Sequence, residues 1–200
     1  MKTAILTGDM VNSQNSDPDK WVDVLKTVLN VFGNAPTDWE LYRGDSFQLE
    51  TQPEKALYAA LMIKAHLKFQ SDLDVRIAIG IGEKTYNAEK ITASNGTAFI
   101  NSGHSFEQLK KNNLAIKTED SDLDNTLNLM FQLASVTIDN WTSTVAELIE
   151  LALTYPDYNQ QQIAKRLQTT QSNVSQGLKR GGFDELSKLL AYYKSQISTL

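Results

Sequence analysis

The sequence predicts an α/β (α+β) protein, with a ferredoxin-like sheet and flanking helices followed by an all-α helix-turn-helix domain. Three observations predict it. Up to Ile81, strand and helix periodicities alternate in the order strand, helix, strand, strand, helix, strand. The stretch Trp39 to Glu50 alternates apolar and polar residues on either side of Arg43-Gly44-Asp45 and reads as a β-hairpin. From Trp141 onward only short helical patterns occur. The expected division is a sheet domain over 1–120, a connecting helix over 121–140 and a helix-turn-helix domain over 141–200.

Taken in order, Lys2 to Leu6 is a β-type run that stops at Gly8-Asp9, and a polar loop follows from Asn12 to Asp19, where Asp17-Pro18 can start a helix. Trp21, Val24, Leu25, Val28, Leu29 and Phe32 recur at helical spacing and end at Gly33-Asn34. In the hairpin, a three-residue loop sets Trp39 opposite Leu49 and Leu41 opposite Phe47, all on one face. A two-residue loop would instead set Leu41 against Gln48, so the longer loop is expected, with Gly44 supplying the unusual backbone angle. Pro53 opens a helix running to Phe69, and Val75 to Ile81 is a glycine-bounded strand. Ser94 to Lys111 reads as glycine-broken and partly helical, Leu114 to Lys117 as a short strand, and Leu123 to Ile138 as a long helix.

Right-handed crossovers make strands one and two of such a fold parallel, with strand three between them. The end of strand one and the hairpin tip then share one sheet edge, so Asp9 and Asp45 become neighbours. Adjacent carboxylates repel unless a proton or a cation intervenes. A divalent ion, Mg2+ by preference, is one solution. Pairing of Arg43 with either carboxylate is a second, and a simple capping role for each Gly-Asp is a third. His66 is expected at the surface and His104 in a polar loop, neither making a case for zinc, and no Walker loop, G-x-S-x-G or G-x-G-x-x-G motif is present.

Composition narrows the function classes. The 200 residues contain no cysteine, which excludes disulfides and thiolate metal sites, and no apolar run approaches the roughly 20 residues that a membrane helix needs. Without a recognisable signal peptide, the expected location is the cytoplasm. Residues 1–139 carry 13 Lys and Arg against 19 Asp and Glu, whereas 140–200 carry 6 against 5. Between Tyr158 and Phe183 stand Lys165, Arg166, Lys179 and Arg180 with no acidic residue.

That basic stretch coincides with two helical patterns. Ile163, Ala164 and Leu167 face inward on the first, Val174 and Leu178 on the second, and Gln168-Thr169-Thr170 turns between them. Gln171, Ser172, Asn173 and Gln176 point outward on the second helix as amides and hydroxyls able to meet base edges, while the four cations can neutralise phosphates. DNA is the expected partner, although such a unit can also serve oligomerisation or protein binding. Phe183 to Tyr193 supplies a last helix, packed on this unit or forming a dimer seam.

Gly8-Asp9-Met10-Val11-Asn12-Ser13, Arg43-Gly44-Asp45-Ser46-Phe47-Gln48, Arg76 to Gly82 and Asn95-Gly96-Thr97-Ala98-Phe99 together resemble the bacterial SatD family, and the likeness spans essentially the whole chain. The first domain is also distantly similar to the palm domains of class III nucleotide cyclases and GGDEF proteins. That resemblance implies metal ligation by Asp9 and Asp45 and a nucleotide held near Arg43 and Gly44. Cyclases also carry an Asn and, four residues later, an Arg on the helix after the last core strand. Gly96 to Gly103 offers Asn101 and Ser102 but no Arg. The leading expectation is a homodimeric DNA-binding regulator whose degenerate palm senses a nucleotide with Mg2+. The alternatives are a metal-dependent cyclase or nucleotidyl-transfer enzyme using Asp9 and Asp45, or a protein-interaction scaffold.

Overall fold

The computed structural model describes residues 2–13 and 17–200; the middle of the polar loop expected after strand one lies outside them. The elements are β1 (Lys2–Met10), α1 (Val22–Leu29), β2 (Trp39–Tyr42), β3 (Ser46–Thr51), α2 (Ala56–Ser71), β4 (Val75–Glu83), α3 (Thr97–Glu107), β5 (Leu114–Lys117), α4 (Ser121–Ile138), α5 (Ser143–Thr154), α6 (Gln160–Arg166), α7 (Gln171–Arg180) and α8 (Phe183–Ile197). The sheet order is β2-β3-β1-β4-β5, antiparallel throughout except that β5 runs parallel to β4. β3 therefore lies between β1 and β2, as the element order requires.

The hairpin has the expected register. Trp39 opposes Leu49, Leu41 opposes Phe47, and Arg43-Gly44-Asp45 form the loop. Gly44 sits at φ 94° and Arg43 at φ 53°, so two successive residues take up the left-handed region to reverse the chain. Asp17 caps a short 3-10 turn at Pro18–Lys20 before α1, and a similar turn at Pro53–Lys55 precedes α2.

The two faces of the sheet are built differently. Ala4, Leu6, Phe47, Leu49, Val75, Ile77, Ile79, Ile81 and Ile116 point into one large core with α1 and α2. On the opposite face β4 presents Ala78, Gly80 and Gly82, and α3 lies close against them. A Cβ on Gly80 would come within 2.1 Å of the Ser102 nitrogen and 2.3 Å of the Ala98 oxygen. The glycines read as a strand end thus lie inside a strand, where they form the seat for a helix. α3 itself is unbroken across Gly103, contrary to the expectation of a glycine-broken segment. Thr7 Oγ1 and Ser102 Oγ are 3.0 Å apart across the same contact.

The C-terminal helices share this core. Leu57 and Leu61 of α2, Ile149 of α5, Val174 of α7 and Tyr193 of α8 belong to one continuous apolar cluster. α5 runs antiparallel to α2, with Ser143 Oγ donating to the Phe69 carbonyl (3.0 Å) and Tyr58 Oη to the Leu153 carbonyl (3.4 Å). His66, expected at the surface, is instead half-buried between these helices with Nδ1 2.8 Å from Glu150 Oε1. At the sheet's edge, Asn128 of α4 accepts from the Ile116 N–H and donates to its carbonyl, both at 2.9 Å, so a side-chain amide satisfies the outer backbone of β5. No helix is long and apolar enough to cross a membrane among the described residues.

The close seat of α3 generates a prediction. Gly80→Ala must displace backbone rather than a flexible side chain, and should lower stability by roughly 1–3 kcal/mol, read as a lower urea midpoint at unchanged slope.

Candidate functional site

The end of β1 and the hairpin tip meet as the topology demands. Asp9 opposes Ser46 in the β1–β3 ladder, and the Met10 N–H donates to the Asp45 carbonyl at 3.2 Å. The side chains are then held separately. Asp45 Oδ2 accepts from Ser13 Oγ at 2.5 Å. Asp9 accepts from Arg76 through both carboxylate oxygens, from Nε to Oδ1 at 2.9 Å and from Nη2 to Oδ2 at 2.5 Å.

Arg76 is the residue that sequence reasoning missed. It is Asp9's direct partner in the β1–β4 ladder, so both side chains project on the α3 side of the sheet. The signal was present in the alternation Val75-Arg76-Ile77, which sets Arg76 on the face opposite the main core; what the sequence lacked was the pairing that puts it beside Asp9. Arg43 takes no part in this pairing, because its guanidinium lies over the ring of its neighbour Tyr42, 5.9 Å from the centroid. The bond to Asp9 holds the Arg76 guanidinium above its ordinary pKa against the opposing effect of burial, and the charges of Asp9 and Asp45 add to the rise. Burial raises the Tyr42 phenol, with Arg43 opposing and Asp9 reinforcing that rise. Phe106 of α3 completes the edge, its ring 5.7 Å beneath Arg76.

This donor set does not fit a divalent cation as it stands. Both Asp9 oxygens carry guanidinium hydrogen bonds, and among the described residues no group of three or more His, Asp or Glu is placed to hold a metal. Asn101 and Ser102 are also committed elsewhere. Asn101 Nδ2 donates to the Ile81 carbonyl at 2.8 Å, and Ser102 Oγ donates to the Phe99 carbonyl at 3.0 Å beneath Thr7. Gly44, at the tip, has open space around it. His104 lies on the exposed side of α3 rather than in a loop, and contacts Gln108.

The second candidate surface is the pair α6 and α7. Each begins with a firm cap, Asn159 and Gln162 forming a reciprocal capping box and Thr170 accepting from the Asn173 N–H. Ile163, Ala164, Val174 and Leu178 are buried, while Lys165, Arg166, Gln171, Ser172, Asn173, Gln176, Lys179 and Arg180 are all exposed. α7 approaches α5 at Gly177, where a Cβ would lie 2.1 Å from Leu148 Cδ1. Arg166 stacks on Tyr155 at 4.6 Å, and Tyr155 stacks in turn on Tyr158, so an aromatic pair holds this cation in place. Gln171 Nε2 donates to Gln160 Oε1 at 2.6 Å, joining the first turns of the two helices.

Asp9→Asn keeps one acceptor for Arg76 but removes the charge. Because the Arg76 side chain is 37% exposed and water can solvate it, the expected loss is only about 1 kcal/mol, measured by urea denaturation.

No curated protein and no solved structure matches the chain. A family model described as the SatD family matches residues 3–190, which include the carboxylate edge and the exposed helix pair. The chain therefore belongs to the SatD family.

Proposed function

We propose that this protein is a cytoplasmic DNA-binding regulator that contacts DNA through a helix-turn-helix formed by α6 and α7. The observation that carries the reading is the outward row of α7. Gln171, Ser172, Asn173 and Gln176 are exposed toward its N-terminal end and Lys179 and Arg180 at its far end, whereas Val174, Gly177 and Leu178 anchor the opposite side. Amide and hydroxyl side chains at the start of a recognition helix suit base edges in the major groove, and cations at its end suit phosphates. Lys165 and Arg166 extend the positive surface along α6, and the stretch from Tyr158 to Phe183 itself contains no acidic residue, Glu147 of α5 being the acidic side chain that shares a cavity with Arg180.

The direct test is retention of labelled genomic fragments across a salt series. Lys179→Ala combined with Arg180→Ala should weaken retention by roughly tenfold or more and flatten the salt dependence by about two phosphate contacts, with the fold intact by circular dichroism. Retention unaffected by the double substitution would sink the reading.

A single helix-turn-helix covers one half-site, so the regulator works as a homodimer in this reading. The surface that supports pairing is the outer face of α4, where Leu129, Leu133 and Val136 are 59%, 66% and 72% exposed at i, i+4 and i+7. The stretch Asn125 to Ile138 contains no charged residue, so two copies can approach there without the like-charge repulsion that a net charge of −5 imposes elsewhere. An anionic membrane surface is a poor alternative, since Glu119, Asp120, Asp122 and Asp124 cluster at the start of the helix. Leu133→Glu should leave the fold unchanged and convert a dimer to a monomer by light scattering; a wild-type monomer at high concentration would refute this pairing.

A further inference from the structure

We propose that Arg76 is a resident counter-ion for the Asp9–Asp45 edge, and that its guanidinium keeps a pair of carboxylates from taking up a divalent metal ion. This inference is independent of DNA binding. It rests on how the edge solves the problem of two neighbouring carboxylates, one at the end of β1 and one at the hairpin tip.

The solution has three parts. First, Arg76 engages both oxygens of Asp9, at 2.9 and 2.5 Å, so no bare carboxylate oxygen of Asp9 faces a cation. A hard divalent ion requires such oxygens at roughly 2.0–2.6 Å. Second, the guanidinium is fixed from two directions. Its backbone is paired with that of Asp9 in the β1–β4 ladder, and the Phe106 ring lies 5.7 Å from it on the α3 side. Third, Asp45 reaches the same edge through the Met10–Asp45 backbone bond, and its side chain bonds a neutral group, Ser13. With Arg76 in place the three side chains carry a net charge of −1, and without it they would carry −2. A metal ion would thus have to break two charge-assisted hydrogen bonds and then sit beside a full positive charge.

Removing the guanidinium while keeping an apolar stem over Phe106 should expose the carboxylate pair. The experiment is a calorimetric titration of the full chain with MnCl2, using the wild type, Asp9→Asn, Arg76→Met, Arg76→Lys and the double variant Arg76→Met/Asp9→Asn. Wild type and Arg76→Lys are expected to show no saturable Mn2+ binding in the low millimolar range. Arg76→Met should bind one ion at least about tenfold more tightly than wild type, because a like charge near the site is gone, and the double variant should lose that gain. Saturable one-to-one binding to the wild type that disappears in Asp9→Asn would overturn the proposal. So would a folded Arg76→Met variant that gains no binding. Circular dichroism establishes the fold of each variant, and Arg76→Gln replaces the Met variant if that one unfolds.

Discussion

One ammonium group, that of Lys64, joins the parts of this molecule that the sequence keeps far apart. It lies on α2, is 1% exposed, and reaches Asp74 Oδ1 at 2.7 Å, the Val75 carbonyl at 3.0 Å and Asp139 Oδ1 at 3.3 Å. These partners stand at the entry to β4 and in the connection from α4 to α5. A buried charge is tolerated only when opposite charge and hydrogen bonds surround it, and removing Lys64 would leave two carboxylates at the junction without their counter-ion. The position of α2 relative to the sheet and to α5 is therefore tied to one small set of atoms. His66 with Glu150 and Ser143 with Phe69 extend the same junction along the two helices.

The other face of the sheet depends on the absence of side chains. Gly80 and Gly82 let α3 approach β4 at backbone distance, and Asn101 and Thr97 then bond directly to the strand, at the Ile81 carbonyl and the Glu83 N–H respectively. This close seat carries Phe106 to the Asp9–Arg76 pair. The electrostatics of the carboxylate edge are thus linked to packing two turns of helix away, because the same helix supplies both contacts.

The two candidate surfaces differ in how their charge is balanced. At the sheet edge, Arg76 meets Asp9 and Arg43 rests on Tyr42, so the cations are engaged within the protein. On α6 and α7 the cations have no acidic neighbours in their stretch of chain, and Arg166 is held by an aromatic ring instead. The two parts of the chain also differ in net charge, with 13 Lys and Arg against 19 Asp and Glu over 1–139 and 6 against 5 over 140–200.

The sequence alone determined the features that local periodicity encodes. The three-residue loop and the pairing of Trp39 with Leu49 follow from a two-residue repeat that a one-residue slip would destroy, and the limits of β5 follow from its own residues. The adjacency of Asp9 and Asp45 was legible as well, since connection handedness leaves few arrangements of six elements. Only the tertiary structure decided which groups meet across long separations. Arg76 lies 67 residues from Asp9 and Glu150 lies 84 from His66, and Lys64 looks in sequence like an ordinary polar break in an apolar helix. The exposed apolar stripe on α4 was equally hidden, because Leu129, Leu133 and Val136 recur at the same helical spacing as the buried Leu127 and Phe131 but on the opposite side of the helix, and spacing alone does not say which side is covered. Periodicity reports which residues share a face. Which charge neutralises which, and which apolar face stays uncovered, depends on what the remainder of the chain brings against it.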